Sequence, residues 1–458
     1  MELVATDIGL MSLAALIILY VMFARALPFG ALSMPCMTLL TSMMYFFIMP
    51  ALTLSGGNFE FLGMYLNSLE GVHVAVLLYA LGGTAAWVVW FRYLRIDPAA
   101  VRVYERPMNL TIAWTLAAIA MAGVLMLVAL GRLQFFAADD AQHDNVGEVE
   151  GFAFLTLSVS MLIPLTLLLL LRTRFHIYGL FVLAGVFLVI LTTGFRFRIV
   201  ILASAVVMTY MLVRRIRIRV SYVALGSCLA LIVVNAIGYS RTYGQGIDLS
   251  RLDGLTWVDL LHAFGGEIGP VFALAHVVQS PPPDLIYFTP WTVGIARLVP
   301  SFLWPDKPYP DYLSDYVGGF AEIFQRTAGV AAPQHAEALL QFGWFGLPLL
   351  AFLYFAFACK VVERLQWLGL EARIAGCAMA PAFFGFYMQQ RGYFFQFLCE
   401  FLFMFGPLFL VHYRTKLPSA GARESSTTVR DHPSGLPSRV STLRHNAAPP
   451  TDREVDPQ

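Results

Sequence analysis

The sequence predicts an all-α polytopic membrane protein, and three observations predict it. Of its 458 residues, 58% are hydrophobic and 13% charged, against about 25% charged in soluble domains. Its apolar stretches approach the roughly 20 residues needed to cross a bilayer. Its connections alternate between basic and acidic or mixed.

The apolar stretches at 8–24, 31–54, 72–91, 110–130, 153–171, 177–193, 198–213, 220–238, 336–359, 374–390 and 394–412 predict about eleven spans. Glu2 and Asp7 stand where a cleaved signal peptide has a basic region, so 8–24 reads as a retained first span. Pro50 and Pro164 predict kinks, which membrane helices tolerate. Orientation follows from Arg25, then Arg92, Arg95, Arg102 and Arg106, then Arg172 and Arg174. It continues with Arg214, Arg215, Arg217 and Arg219, with Lys360, Arg364 and Arg373, and with Arg414 and Lys416. Each group follows an odd-numbered span. Glu60 and Glu70, and then Asp139, Asp140, Asp144, Glu148 and Glu150, mark alternate connections. This places the N-terminus outside and the C-terminus in the cytoplasm.

The expected organisation is a bundle over 1–412 that includes a large external loop at 239–335, followed by a Ser-, Pro- and Arg-rich tail at 413–458. The tail has too few apolar residues to fold alone and reads as a disordered cytoplasmic extension. The loop is rich in aromatics, and 257–279 reads as one or two short helices lying on or dipping into the interface, broken by the prolines at 281–283. It is expected to cap the bundle. A net charge of +1 gives no global field for nucleic acid. Five cysteines without ligand spacing read as buried thiols, and the scattered histidines form no ligand pattern, so neither a metal nor a cofactor is expected.

Charges that break the alternation are the informative ones. Arg196 and Arg198 sit where two apolar stretches join, on the side expected to be external. In an extended turn, residues two apart point the same way and can fork onto one phosphate or diphosphate; the alternatives are lipid headgroups or loop carboxylates. Arg241 and Arg391 lie on the same side, either as interface anchors or as further parts of a cationic pocket. His335 opens the ninth stretch, with Gln334 before it and Glu337 two residues on; it reads as a general base or as a capping histidine. Asp306, Asp311 and Asp315 lie among prolines and aromatics, a mixture that suits carbohydrate and an ordinary loop equally. Glu400 is the main ionisable residue inside an apolar stretch.

Three segments carry a resemblance: TGFRFR before an apolar helix, ARLVPSFLWPDKP in the long loop, and HAEALLQFGWFG entering the next span. With the topology they make the chain resemble the O-antigen polymerase and ligase superfamily, membrane glycosyltransferases of the GT-C type, and among them the oligosaccharide repeat-unit polymerases. It departs at Ala336, where ligases often have a polar residue. The resemblance implies a metal-independent enzyme that joins undecaprenyl-diphosphate-linked oligosaccharides into a surface polysaccharide at the periplasmic face of a bacterial inner membrane. It implies Arg196 and Arg198 on the diphosphate, joined by Arg241 and Arg391, with His335 or Glu337 helping the acceptor hydroxyl. A flippase and a chain-length regulator are the implied partners. The alternatives are a ligase moving a finished glycan to another acceptor, or a transporter of a lipid-linked sugar.

Overall fold

The computed structural model describes residues 7–27, 29–53, 60–61, 64–65, 69–96, 108–130, 157–192, 196–214, 216, 226, 241–242, 246–247, 269–279, 281, 284–299, 304, 333–387 and 394–413. Side chains are not described at 52–53, 60–61, 64–65, 196, 241–242, 246–247, 269, 293, 297–298, 394–396 and 413. The described residues fall within one compact unit, Met1–Thr415. The tail at 416–458, most of the 239–335 loop with Asp306, Asp311 and Asp315, Arg391, and the expected span at 220–238 apart from Gly226 lie outside the described residues.

Among the described residues, six helices are long and apolar enough to cross a membrane, by length and composition, and shorter apolar helices join them. The first is α1 (Asp7–Ala26). Next, over the expected helix 31–54, a 3₁₀ turn leads into α2 (Met34–Met43), a π turn at Met44–Ile48, and α3 (Met49–Thr53), a continuous run that forms one candidate span, Met34–Ala51. The wide turn directs three consecutive rings inward, since Tyr45, Phe46 and Phe47 are all buried. A short ladder of β1 (Glu60–Phe61) and β2 (Met64–Tyr65) precedes α4 (Glu70–Val89) and α5 (Phe91–Leu94). Asn109 caps α6 (Leu110–Ala129), its Oδ1 accepting from the Ile112 N–H at 3.2 Å.

Then come α7 (Leu162–Arg172), α8 (Ile177–Thr192) and α9 (Arg196–Arg214). β3 (Arg241–Thr242) pairs with β4 (Gly246–Ile247). They are followed by α10 (Gly269–Gln279), α11 (Thr289–Leu298) and α12 (Gln334–Leu365). The last elements are α13 (Leu370–Ala382), which ends in a second π turn at Phe383–Tyr387, and α14 (Phe394–Tyr413).

The most extensive helix pairing is α4 with α12. Lipid chains are as apolar as leucine, so close packing holds such helices together in a bilayer. Glycine makes that approach possible: a Cβ on Gly82 would lie 2.2 Å from the Pro348 carbonyl oxygen and 2.6 Å from its Cα. Phe383, Phe384, Phe397, Phe401 and Phe405 form a continuous ring cluster between the end of α13 and α14, packed on Tyr354 and Phe357 of α12. Outward faces of α1, α6 and α8 are apolar, with Met11, Trp114 and Phe181 each about seven-tenths exposed, which suits a lipid solvent.

Two contacts gather helix ends. The Gln366 side chain donates to the Tyr93 carbonyl at 2.9 Å, tying the end of α12 to α5, and the Asn109 N–H donates to the Val411 carbonyl at 3.0 Å, tying the start of α6 to the end of α14.

Helix α10 lies in the span 257–279 expected to be helical and is enclosed by the bundle: Val271, Phe272, Ala273, Leu274 and Ala275 are all buried, with the helix packed against α4 and α12. It ends at Gln279, before the prolines that begin at 281.

The Gly82 approach predicts that Gly82→Ala lowers stability by about 1–3 kcal/mol through overpacking. Gly185→Ala, with nothing within 4 Å of the added carbon, should leave it unchanged or slightly raised. Thermal unfolding of the purified protein followed by size-exclusion chromatography compares the two.

Candidate functional site

Helix α12 is two helices joined by a kink. Phe342 (φ −139°, ψ 17°) and Gly343 (φ 62°, ψ −154°) leave the helical region, and the Gly343 pair of angles is essentially closed to residues with a Cβ. Breaking the ladder frees carbonyls, which in an apolar interior need new donors. The Ile286 N–H supplies one, donating to the Leu340 carbonyl at 2.9 Å. The segment before α11 is thereby pinned to the end of the first half of α12.

That first half has two working faces. Gln334, Glu337, Ala338 and Gln341 recur at i, i+3, i+4 and i+7 and form one stripe. The stripe lines a cavity of about 250 Å³, completed by Trp291 of α11, Leu350, Leu353, Tyr354 and Phe357 of the second half, and Phe397 and Leu398 of α14. Gln341 Nε2 donates to Glu337 Oε1 at 3.2 Å, and the Tyr79 hydroxyl donates to Gln334 Oε1. Gln341 Oε1 is buried with no hydrogen-bond partner among the described residues.

His335 is one position off the stripe and faces the other way. It is fully buried, its ring 4.2 Å from Tyr79 and 4.9 Å, edge-on, from Phe46. Both ring nitrogens are enclosed without a hydrogen-bond partner among the described residues, and the side chain is not part of the cavity wall. The expected external base is thus an enclosed ring, because the helical step of about 100° turns it toward α4 and the first π turn. Glu337, two residues on, is the carboxyl that reaches the cavity.

The arginines are placed as follows. Residues 196–198 are helical, the start of α9, so the extended turn that would aim both side chains alike is not the one the chain adopts. Arg198 is 2% exposed and is not presented at an open mouth; its Nη2 donates to Glu400 Oε1 at 2.7 Å, and Glu400 is fully buried. The side chain of Arg196 is outside the description, as is that of Arg241, which pairs with Ile247 in the β3–β4 ladder. Arg391 lies outside the described residues.

On α14, Glu400 follows the cavity residue Phe397 by three positions, so the ion pair and the cavity are neighbours along one helix face. Phe197, beside Arg198, packs on Tyr387 of the second π turn at 4.4 Å.

Sequence reasoning missed Gln341 and Tyr79. The i, i+3, i+7 spacing of Gln334, Glu337 and Gln341 at the head of an apolar helix was the available signal for Gln341. Tyr79, 255 residues away in sequence, gave none. No protein-family model, no curated protein and no solved structure matches the chain.

Burying a charge pair makes each partner depend on the other. Arg198→Met or Glu400→Leu alone should cost about 3–5 kcal/mol, whereas the double variant should return close to the parent stability. Unfolding titrations of the four proteins in one detergent check this. A stable double variant also separates a structural role of Arg198 from a functional one.

Proposed function

We propose that the protein is a membrane glycosyltransferase that polymerises undecaprenyl-diphosphate-linked oligosaccharides into a surface polysaccharide. The observation that carries this reading is a carboxyl–amide stripe, Glu337 and Gln341, on an apolar cavity whose wall continues along α14 toward a buried arginine. The motif resemblance supplies the reaction class. In this proposal eleven spans form a GT-C-like bundle in a bacterial inner membrane, with the N-terminus periplasmic, the C-terminus cytoplasmic and the site at the periplasmic face. The basic residues Arg92, Arg95, Lys360 and Arg364, on helix ends tied by the Gln366–Tyr93 contact, support that sidedness.

Glu337 takes the proton from an acceptor hydroxyl, whose oxygen attacks the anomeric carbon of the donor. The bond from that carbon to the diphosphate breaks, and the lipid diphosphate leaves with the electron pair. Fixed cations stabilise the developing charge, a contribution that needs no cofactor. Arg196, Arg241 and Arg391 are the candidates for those cations, and Arg198, buried in its pair with Glu400, supports them by holding the start of α9 against α14. His335 acts by position: its ring fixes the first turn of α12 against Phe46 and Tyr79, and so sets where Glu337 stands.

A specific observation favours a second reading, a flippase for a lipid-linked sugar. The buried Arg198–Glu400 pair, with buried His73 and Arg373, puts ionisable groups inside the bundle, as transport pathways do.

The test is surface glycan length in cells carrying single substitutions. Glu337→Gln should reduce polymer formation by roughly a hundredfold or more, leaving single repeats on the surface. Alanine at Arg196 or Arg198 should shorten chains in the same way. His335→Phe, which keeps the ring packing, should retain long chains, whereas His335→Ala should shorten them. Unchanged chain lengths in the Glu337 and arginine variants would sink the polymerase reading, and glycan that never reaches the outer face would support the flippase.

A further inference from the structure

The cavity under the α12 kink has a chemistry that the diphosphate does not explain. Its described lining contains one carboxyl, two carboxamides, an indole and a phenol, and no Lys, Arg or His. Among the described lining residues a phosphate would meet one carboxyl and no cation, a chemistry that favours an uncharged occupant. The rest of the wall is apolar: Ala338, Leu350, Leu353, Phe357, Phe397 and Leu398.

The polar and apolar parts are segregated along α12. Glu337 and Gln341 stand before the kink; Leu350, Leu353 and Phe357 follow it. Leu353 is 45% exposed and Phe357 41%, so this wall reaches the outer surface of the bundle, where lipid chains would lie. Gln341 is 2% exposed, and its Oε1 is buried without a partner among the described residues. A lone buried acceptor costs about 1–3 kcal/mol and is satisfied by an incoming hydroxyl.

We infer that this cavity binds an uncharged, hydroxyl-bearing membrane amphiphile, its hydroxyls on Glu337 and Gln341 and its chain leaving between Leu353 and Phe357. The inference goes beyond the proposed reaction and holds under the transferase and flippase readings alike. Only one consequence rests on the role proposed for Glu337: such an amphiphile and the acceptor hydroxyl exclude each other.

The experiment is equilibrium binding of radiolabelled octyl glucoside to the full chain in phosphatidylcholine nanodiscs, with empty discs subtracted. Saturable binding of one molecule per chain is expected, about tenfold weaker in Gln341→Leu, which loses the acceptor and keeps the shape. Leu353→Trp, a substitution on the outer surface that spares the core, should block the exit and weaken binding similarly, so the test stands even where Gln341→Leu does not fold. Octyl phosphate should compete at least tenfold less well than unlabelled octyl glucoside. Absence of saturable binding, equal competition by octyl phosphate, or full affinity in every folded variant of the two would overturn the inference. Because no glycosyl transfer is measured, those results leave the transferase reading untouched, just as unchanged glycan lengths would leave this one standing.

Discussion

Inside a bilayer a broken helix has no water to satisfy the carbonyls it releases, and much of this structure follows from how one break is accommodated. The kink at Phe342 and Gly343 survives because a chain segment remote in sequence brings the Ile286 N–H to the Leu340 carbonyl. With that bond made, the two halves of α12 need not be coaxial. The stripe from Gln334 to Gln341, on the half before the kink, lines the cavity together with residues of the half after it. The long pairing of α4 with α12, with Gly82 against Pro348, holds the second half in place.

Charge is handled by the same rule of local satisfaction. Arg198 and Glu400 each carry a heavy desolvation penalty, and each offsets that of the other. Around them the packing is aromatic: Phe197 on Tyr387, Phe383 on Tyr387, and the ring cluster of α13 and α14. Rings supply large contact areas with few rotatable bonds, which suits an interface that hydrophobic exclusion does not drive.

The α-helical membrane class was legible because it rests on composition and on runs of apolar residues, properties of single segments. The π turn within 31–54 was not, since it depends on what the surrounding helices demand of Tyr45, Phe46 and Phe47. The burial of α10 was half legible. Its residues are mostly apolar, and a short helix lying on or dipping into the interface was expected, but only the fold shows α4 and α12 packed against it. At the candidate site, Glu337 was named from the sequence, but the face it takes was not. The helical phase that separates His335 from Glu337 was available, but it becomes informative only once one face is known to meet Tyr79 and the other a cavity. Arg198 and Glu400, 202 residues apart, were each noticed as anomalies, and only the tertiary fold makes them partners.

The two π turns have a consequence for how this bundle tolerates change. They are neighbours: Tyr45 of the first lies 6.5 Å from Phe386 of the second, and a Cβ on Gly385 would lie 2.9 Å from the backbone nitrogen of Thr38 in α2. A π turn is a helix that has absorbed one surplus residue without rotating the helix beyond it. Losing a residue from an ordinary stretch of α2 or α13 would swing the remainder by about 100° and send its inward rings outward. At Met44–Ile48 and Phe383–Tyr387 the same loss would relax the turn to ordinary α-helix and leave the downstream faces where they are. The bundle therefore carries slack in its register, stored at two turns whose rings are buried in the core.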